Sequence, residues 1–282
     1  MNSREHPWPL IDIGLNLADK RFKNDTGKVL ERARDAGIIA CILTATSESI
    51  THELIELCAR YNEEFPGMLS CTAGVHPHDA KHWHKSSTSV IRDLASHDTV
   101  VAIGETGLDF NRDFSPRPEQ EQAFEAQLEL ACELQLPVFL HERDAHKRQL
   151  EILHSYRDHL VDGVLHCFTG DKKALFNYLD LDLHIGITGW ICDERRGLDL
   201  QKMVTNIPLN RLMLETDAPY LTPRTLRPKP KSSRNEPAYL PWVLDCVATF
   251  RDETADVIAH ATSTTAQHFF RLKPQRLAFH SN

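Results

Sequence analysis

The sequence contains no apolar run near the roughly 18 residues that span a bilayer, so it gives no basis for a transmembrane helix. It also lacks the GxSxG, GxxxxGKS/T and strand-linked GxGxxG motifs, which argues against serine hydrolases with a nucleophile elbow, P-loop nucleotidases and Rossmann proteins. The seven cysteines are odd in number and include no CxxC pair, so we interpret them as reduced packing residues. Any chemistry must come from other side chains.

Positive charge is also scarce, because the sequence has 32 Lys and Arg but 40 Asp and Glu, which gives a formal net charge of −8. Non-specific coating of nucleic acid needs many cations, so a polyanionic ligand would have to meet a local basic patch or a metal ion. One basic segment, residues 222–234, has no acidic residue and contains Arg224, Arg227, Lys229, Lys231 and Arg234. It either holds phosphates or is a solvated, proline-rich loop.

The chain length suits one barrel-sized domain, and no internal repeat or linker interrupts it. We expect a single domain over residues 1–272 and a loosely held tail over 273–282. The first ten residues, MNSREHPWPL, have no apolar core of a secretory signal, so we expect a cytoplasmic location.

Short β-branched runs alternate with longer helical patterns, which is typical of βαβ units around a parallel sheet. The predicted strands are Leu10–Asn16, Ile38–Thr44, Leu69–Val75, Val100–Gly104, Pro137–His141, Gly163–Cys167, Leu183–Thr188 and Leu212–Glu215. Pro118–Leu134 is the clearest helix, with Phe124, Leu128 and Ala131 on one face. Eight strand–helix units in a chain of this length predict a closed (β/α)8 TIM barrel.

The active site of such a barrel lies at the carboxyl ends of its strands. Four potential metal ligands occur there: Glu105, His141, His166 and Asp217. A lone histidine at a strand end is usually structural, but closure of the barrel would bring all four around one axis. Two imidazoles and two carboxylates suffice to hold a divalent ion that keeps a position open for water. The sequence therefore predicts a metal-dependent hydrolase.

Other polar residues near the strand ends have open roles. His76 is expected to bind substrate or to orient a neighbour, and Arg143 either binds phosphate or pairs with a carboxylate. A run of three histidines in a polar loop is expected to be solvated: His78, His82 and His84.

The same strand ends resemble the motifs of the TatD family of metal-dependent deoxyribonucleases. The matching segments are AGVHPH at 73–78, IGETGLD at 103–109, HERDA at 141–145, LHCFTG at 165–170, ETDAPYL at 215–221 and RNEP at 234–237. They occur in order over nearly the whole chain. The resemblance implies an amidohydrolase-type barrel and a 3′–5′ exonuclease that acts on single-stranded DNA, with RNA as a further substrate.

The resemblance also implies the ligand set and the cation. It makes Glu105, His141 and His166 metal ligands and Asp217 a ligand or the general base. It further implies activity supported by Mg²⁺, whereas imidazole ligands suit Zn²⁺ or Mn²⁺. Strand one departs from the family pattern, because Gly14 and Asn16 stand where two histidines usually bind metal. Glycine offers no ligand, so we expect one firmly held ion.

We therefore predict phosphodiester hydrolysis with Glu105 and Asp217 as catalytic residues. The predicted substrate-binding residues are His76, Arg143, Arg227, Lys229 and Arg234. Two alternatives stay open: a hydrolase of the same barrel class that acts on a small molecule, and a binding or quality-control protein that has lost catalysis. The sequence indicates neither a membrane nor a protein partner.

Overall fold

The computed structural model describes residues 9–273, so residues 1–8 and most of the predicted tail, 274–282, lie outside it. Eight parallel strands follow one another in chain order around a single sheet. They are β1 (Leu10–Leu15), β2 (Ile38–Leu43), β3 (Leu69–Ala73), β4 (Val100–Asp109), β5 (Val138–Arg143), β6 (Gly163–Leu165), β7 (His184–Ile187) and β8 (Leu212–Leu214). The predicted (β/α)8 barrel is confirmed. No helix in the described range is long and apolar enough to cross a membrane.

Helices follow the strands and cover the outside of the barrel. They are α1 (Thr26–Asp35), α2 (Glu48–Tyr61), α3 (Ser87–Ala95), α4 (Arg117–Leu134), α5 (His146–Tyr156), α6 (Lys172–Asp180), α7 (Leu198–Met203), α8 (Leu240–Thr249) and α9 (Ala255–Phe269). Short 3₁₀ segments occur at Pro77–His82, Gly189–Cys192, Val204–Asn206, Leu209–Arg211 and Pro237–Tyr239. The predicted helix Pro118–Leu134 matches α4, which buries Phe124, Leu128 and Ala131 as expected.

The barrel closes where the chain beyond β8 meets β1. The amide of Asp217 donates to the carbonyl of Gly14 at 2.8 Å, and the amide of Asn16 donates to the carbonyl of Ala218 at 2.8 Å. The buried carboxylate of Asp12 accepts the amide of Thr216 at 2.8 Å. This seam places Asn16 and Asp217 side by side at the carboxyl end of the barrel.

The barrel interior is apolar, as expected for strands covered on both faces. Ile13, Ile42 and Phe139 are fully buried inside it. Phe269, at the end of α9, and the following Phe270 pack into the same cluster. Since apolar side chains fill the interior, polar chemistry is confined to the carboxyl ends of the strands.

Buried glutamines hold the strand ends that carry the site. Gln127 of α4 accepts the amide of Val75 at 2.8 Å and donates to its carbonyl at 3.0 Å. Gln120 accepts the amide of Asp109 at 2.9 Å, and Gln149 of α5 accepts that of Leu108 at 3.0 Å. Gln120 and Gln149 satisfy backbone groups beyond the predicted end of the fourth strand. That strand therefore continues past Gly104 to Asp109, and it includes the ligand candidate Glu105.

Candidate metal-dependent active site

Three imidazole nitrogens converge on one oxygen of Glu105, a residue that is 5% exposed. The Glu105 Oε1 atom lies 2.8 Å from His141 Nδ1, 2.8 Å from His166 Nε2 and 3.3 Å from His76 Nε2. The four residues come from β4, β5 and the segments that follow β6 and β3. The structure thus brings together three of the four predicted metal ligands and His76.

The other ring nitrogen of each central histidine faces a second carboxylate. His141 Nε2 lies 3.5 Å from Asp109 Oδ2, and His166 Nδ1 lies 3.3 Å from Glu215 Oε2. Both carboxylates are essentially inaccessible, with 1% exposure for Asp109 and none for Glu215. A carboxylate behind a histidine fixes the ring and raises the basicity of its free nitrogen, which is a common arrangement in metal centres.

Glu215 occupies space that two glycines leave for it. A Cβ atom at Gly14 or at Gly186 would collide with the Glu215 carboxylate. One Glu215 oxygen also accepts the amide of Cys167. The glycine in place of a strand-one histidine is thereby explained, because any side chain at position 14 would displace the carboxylate behind His166.

The hydrogen bonds of His76 distinguish it from the other two histidines. Its Nδ1 atom accepts the amide of His78 at 3.0 Å, which places the ring proton on Nε2 in the neutral form. Burial lowers the pKa of His76 to about 4, although the charge of Glu105 opposes this shift. His76 is therefore a neutral donor, and its Nε2 atom lies 3.3 Å from both Glu105 Oε1 and His141 Nδ1.

Asp217 and Asn16 form a pair across the barrel seam. The Asn16 side-chain amide donates to Asp217 Oδ1 at 2.9 Å, so it orients the carboxylate. Desolvation raises the pKa of Asp217 to about 7 against the attraction of His166, and the negative charges of Glu215 and Glu105 add to the rise. Asp217 also adopts a φ of 52°, a left-handed conformation that is uncommon for a residue other than glycine.

The electrostatics of this centre suit a cation. Burial opposes ionisation of Glu105, but the imidazoles of His166, His76 and His141 outweigh it and hold its pKa well below the usual range. Burial likewise disfavours charge on His166, yet Glu105 and Glu215 raise its pKa well above the usual value. His76, Glu105 and His141 have potential ligand atoms within 4.8 Å of one another. Imidazole nitrogen and carboxylate oxygen are a donor set that fits a divalent transition metal or Mg²⁺ with water.

The site opens into a cleft of about 460 Å³. Its lining includes Asn16, His76, Glu105, His141, His166 and Asp217. Arg143 is exposed and lines the cleft together with Trp190 and Tyr220. The cationic residues of the basic segment do not line it.

Several guanidinium groups of the basic segment have protein partners. Arg224 contacts Glu194 at 2.6 Å, and Arg227 donates to the carbonyl of Arg224 at 2.9 Å. Arg234 contacts Asp25 at 2.7 Å. Lys229 is exposed.

Comparison with known proteins identifies the family. Residues 11–271 match the model of the TatD-related DNases. The chain belongs to the TatD family. A relative named 3′-5′ ssDNA/RNA exonuclease TatD, from Rahnella sp. (strain Y9602), is 50% identical over 95% of this chain and 100% of its own length. The protein of the same name from Salmonella typhimurium is 48% identical over 93% of this chain and 99% of its own length.

A solved TatD-family structure has the same architecture. The TatD homologue YJJV from Escherichia coli K12 superposes with a TM-score of 0.83 at 27% identity, covering 94% of this chain and 98% of its own. The barrel described above is therefore that of a TatD-type hydrolase.

Sequence reasoning misplaced one residue of the TatD-type site and left two without a role. His78 was predicted to be solvated, but it lines the cleft and contacts Asp109 Oδ2 at 2.7 Å. That prediction was wrong because the loop folds back over β4, whereas His82 and His84 are exposed as predicted. Asp109 and Glu215 lay inside quoted motifs. Glu215 ends a predicted strand and Asp109 ends the motif that follows another, and these positions were the signal that could have revealed them.

Proposed function

We propose that this TatD-type nuclease is a metal-dependent 3′–5′ exonuclease that removes nucleotides from single-stranded DNA and from RNA. The observation that carries the proposal is the convergence of His141 and His166 on Glu105, with Asp109 and Glu215 behind the two rings. The relatives that are about half identical support the choice of substrate through their names.

The proposed metal ligands are Glu105, His141 and His166, and Asp217 lies beside them as a further ligand or as the general base. The bound cation, for which we propose Mg²⁺ with Mn²⁺ or Zn²⁺ as alternatives, supplies Lewis-acid polarisation of a phosphoryl oxygen. Glu105 has the second role of fixing both imidazoles. Asp217 accepts a proton from the attacking water, and Asn16 holds the orientation of its carboxylate.

Two further residues of the cleft are proposed to bind the scissile phosphate. His76 has a neutral Nε2–H beside Glu105 and His141, and a donor in this position can stabilise charge on a phosphoryl oxygen. Arg143 adds a positive charge at the rim of a centre rich in carboxylates. An anionic substrate therefore meets the positive charge of Arg143 before it meets Glu105 and Asp217.

The remaining predicted substrate contacts belong to the basic segment. We propose that Arg227 and Lys229, which are exposed, bind phosphates away from the reacting bond. Arg234 was predicted to do the same, and its ion pair with Asp25 favours a structural role instead. Variants described in the Discussion separate these roles.

We also propose a cytoplasmic location. It is supported by the cysteines, all seven of which have free thiols.

The test is digestion of single strands labelled at either end. With a divalent ion added, a 5′-labelled strand should shorten stepwise, and a 3′-labelled strand should release its labelled nucleotide first. Chelation should abolish both reactions, and added metal should restore them. Internal fragments as first products would contradict the exonuclease. Intact oligonucleotides beside rapid hydrolysis of a small ester, lactone or amide would favour the small-molecule alternative.

A further inference from the structure

Two aromatic rings line the cleft beside the candidate metal centre. Trp190 follows β7 and Tyr220 follows β8. Tyr220 is 49% exposed, and among the exposed large apolar side chains of residues 9–273 it is the one that lines this cleft. The two loops touch, since a Cβ atom at Gly189 would collide with the carbonyl of Leu221. An exposed tyrosine of this kind contributes little to the core, so its position calls for another explanation.

The ring of Tyr220 is held by a hydrogen bond at its edge and by a neighbouring arginine. The Tyr220 hydroxyl donates to Asp19 at 3.4 Å, and the guanidinium of Arg21 lies 4.4 Å from the centre of the ring. Asp19 in turn accepts two hydrogen bonds from the Arg21 side chain, at 2.8 and 2.7 Å. These contacts restrict the rotamers of Tyr220 before any ligand binds, and this restriction reduces the entropic cost of binding.

Trp190 repeats the arrangement with different partners. Its indole N–H donates to the carbonyl of Arg196 at 3.1 Å, and the Arg196 guanidinium lies 4.3 Å from the centre of the ring. Asp193 accepts a hydrogen bond from Arg196 at 2.9 Å. Each ring therefore has a hydrogen bond at its edge and a neighbouring guanidinium that an aspartate holds. The same arrangement occurs twice in one cleft, which indicates a common function for the two rings.

We propose that Trp190 and Tyr220 are stacking platforms for the last two unpaired bases of the substrate strand. The proposal rests on the nuclease function proposed above and assigns the subsite that selects single strands. Aromatic faces bind any unpaired base, whereas bases inside a duplex already stack on their neighbours and are unavailable.

The experiment removes a base instead of a side chain. Oligonucleotides with an abasic residue at the 3′-terminal or the penultimate position are compared with the normal strand in the metal-loaded enzyme. Stacking of one base on an aromatic ring usually strengthens binding of the strand. We therefore expect kcat/KM to fall by about 10-fold for each missing base. Trp190→Leu and Tyr220→Leu should each lose about 10-fold on the normal strand and become insensitive to one of the two abasic positions.

Two variants act as controls. Tyr220→Phe keeps the ring and should keep its sensitivity to the missing base. Phe176→Leu removes another exposed ring with a cation nearby, Lys172 at 5.8 Å, but on α6 and outside the cleft lining, so it should leave cleavage unchanged. Thermal melting of each variant shows whether it is folded.

The outcomes separate the two proposals. Equal cleavage of normal and abasic ends by the wild type would overturn the stacking platforms and leave the exonuclease intact. Absence of any cleavage would overturn the exonuclease. In that case, the affinities of the same oligonucleotides, measured by fluorescence anisotropy, decide the platforms: a preference of about 10-fold for the normal strand supports them, and equal affinities overturn them.

Discussion

Charged side chains at the strand ends and in the basic segment are held in different ways. At the strand ends, His141 and His166 lie between buried carboxylates, and several strands contribute to one centre. In the basic segment, the more exposed side chains of Arg224 and Arg234 pair with Glu194 and Asp193 and with Asp25 and Glu236, respectively. Exposed ion pairs of the second kind contribute little, whereas buried groups lose much when one partner is removed. The largest functional effects should therefore come from the strand ends.

Glu105→Gln should have the largest effect, because it removes the charge on which the three imidazoles converge. We expect kcat/KM for a single strand to fall by about 100- to 1,000-fold or more. Metal per protein, measured by mass spectrometry of the purified enzyme, should fall with it. Glu56→Gln, at an exposed position of α2, is the matched control and should change neither quantity. Unchanged metal content in Glu105→Gln would remove Glu105 from the ligand set.

Asp109→Asn and Glu215→Gln should come next, because each weakens the carboxylate behind one histidine. Loss of such a partner usually lowers metal affinity by about 10- to 100-fold. Calorimetric titration of the metal-free protein measures this change. At saturating metal kcat should recover part of its value, which would not happen if the residues acted on the substrate directly. Wild-type metal affinity in both variants would reduce the two carboxylates to packing roles.

Asn16→Ala should have a smaller and more selective effect. Since Asn16 contacts Asp217 and no central histidine, metal content should stay the same while kcat falls by about 10-fold, a fraction of the usual contribution of a general base. Steady-state kinetics at saturating metal would show the fall in kcat with KM little changed. Loss of metal in this variant would instead identify Asn16 as a ligand.

Substitutions in the basic segment should have the smallest effects, and they should fall into two classes: loss of substrate binding and loss of stability. Arg227→Gln with Lys229→Gln should weaken binding of a long single strand by about 2- to 5-fold and reduce its dependence on salt. Cleavage of a dinucleotide should be unaffected. Arg234→Gln should lower thermal stability slightly through loss of the Asp25 pair, with binding unchanged. A binding loss in Arg234→Gln equal to that of the double variant would restore its predicted contact with phosphate.

Much of the fold was predictable because it follows local rules. Alternation of β-branched runs and helical periodicity indicated all eight strands, and the proline and acidic start of α4 located that helix to within one residue. The end of β4 was missed because residues 105–109 are mostly polar and include a glycine, a composition that does not predict a strand. Side chains distant in sequence, such as Gln120 and Gln149, satisfy its backbone and keep it extended.

The sequence by itself determined the barrel, the family and the residues for which we propose the chemistry, since chemical type and spacing at strand ends are local properties. The tertiary structure alone decided how those residues are paired. Which nitrogen of His76 carries a proton depends on the amide of His78, and which carboxylate lies behind His166 depends on the space at Gly14. Asn16 orients Asp217 only because the barrel closes between residues that are 201 positions apart. Pairing of this kind depends on distances that a linear pattern does not contain, and it becomes fixed only when the eighth strand meets the first.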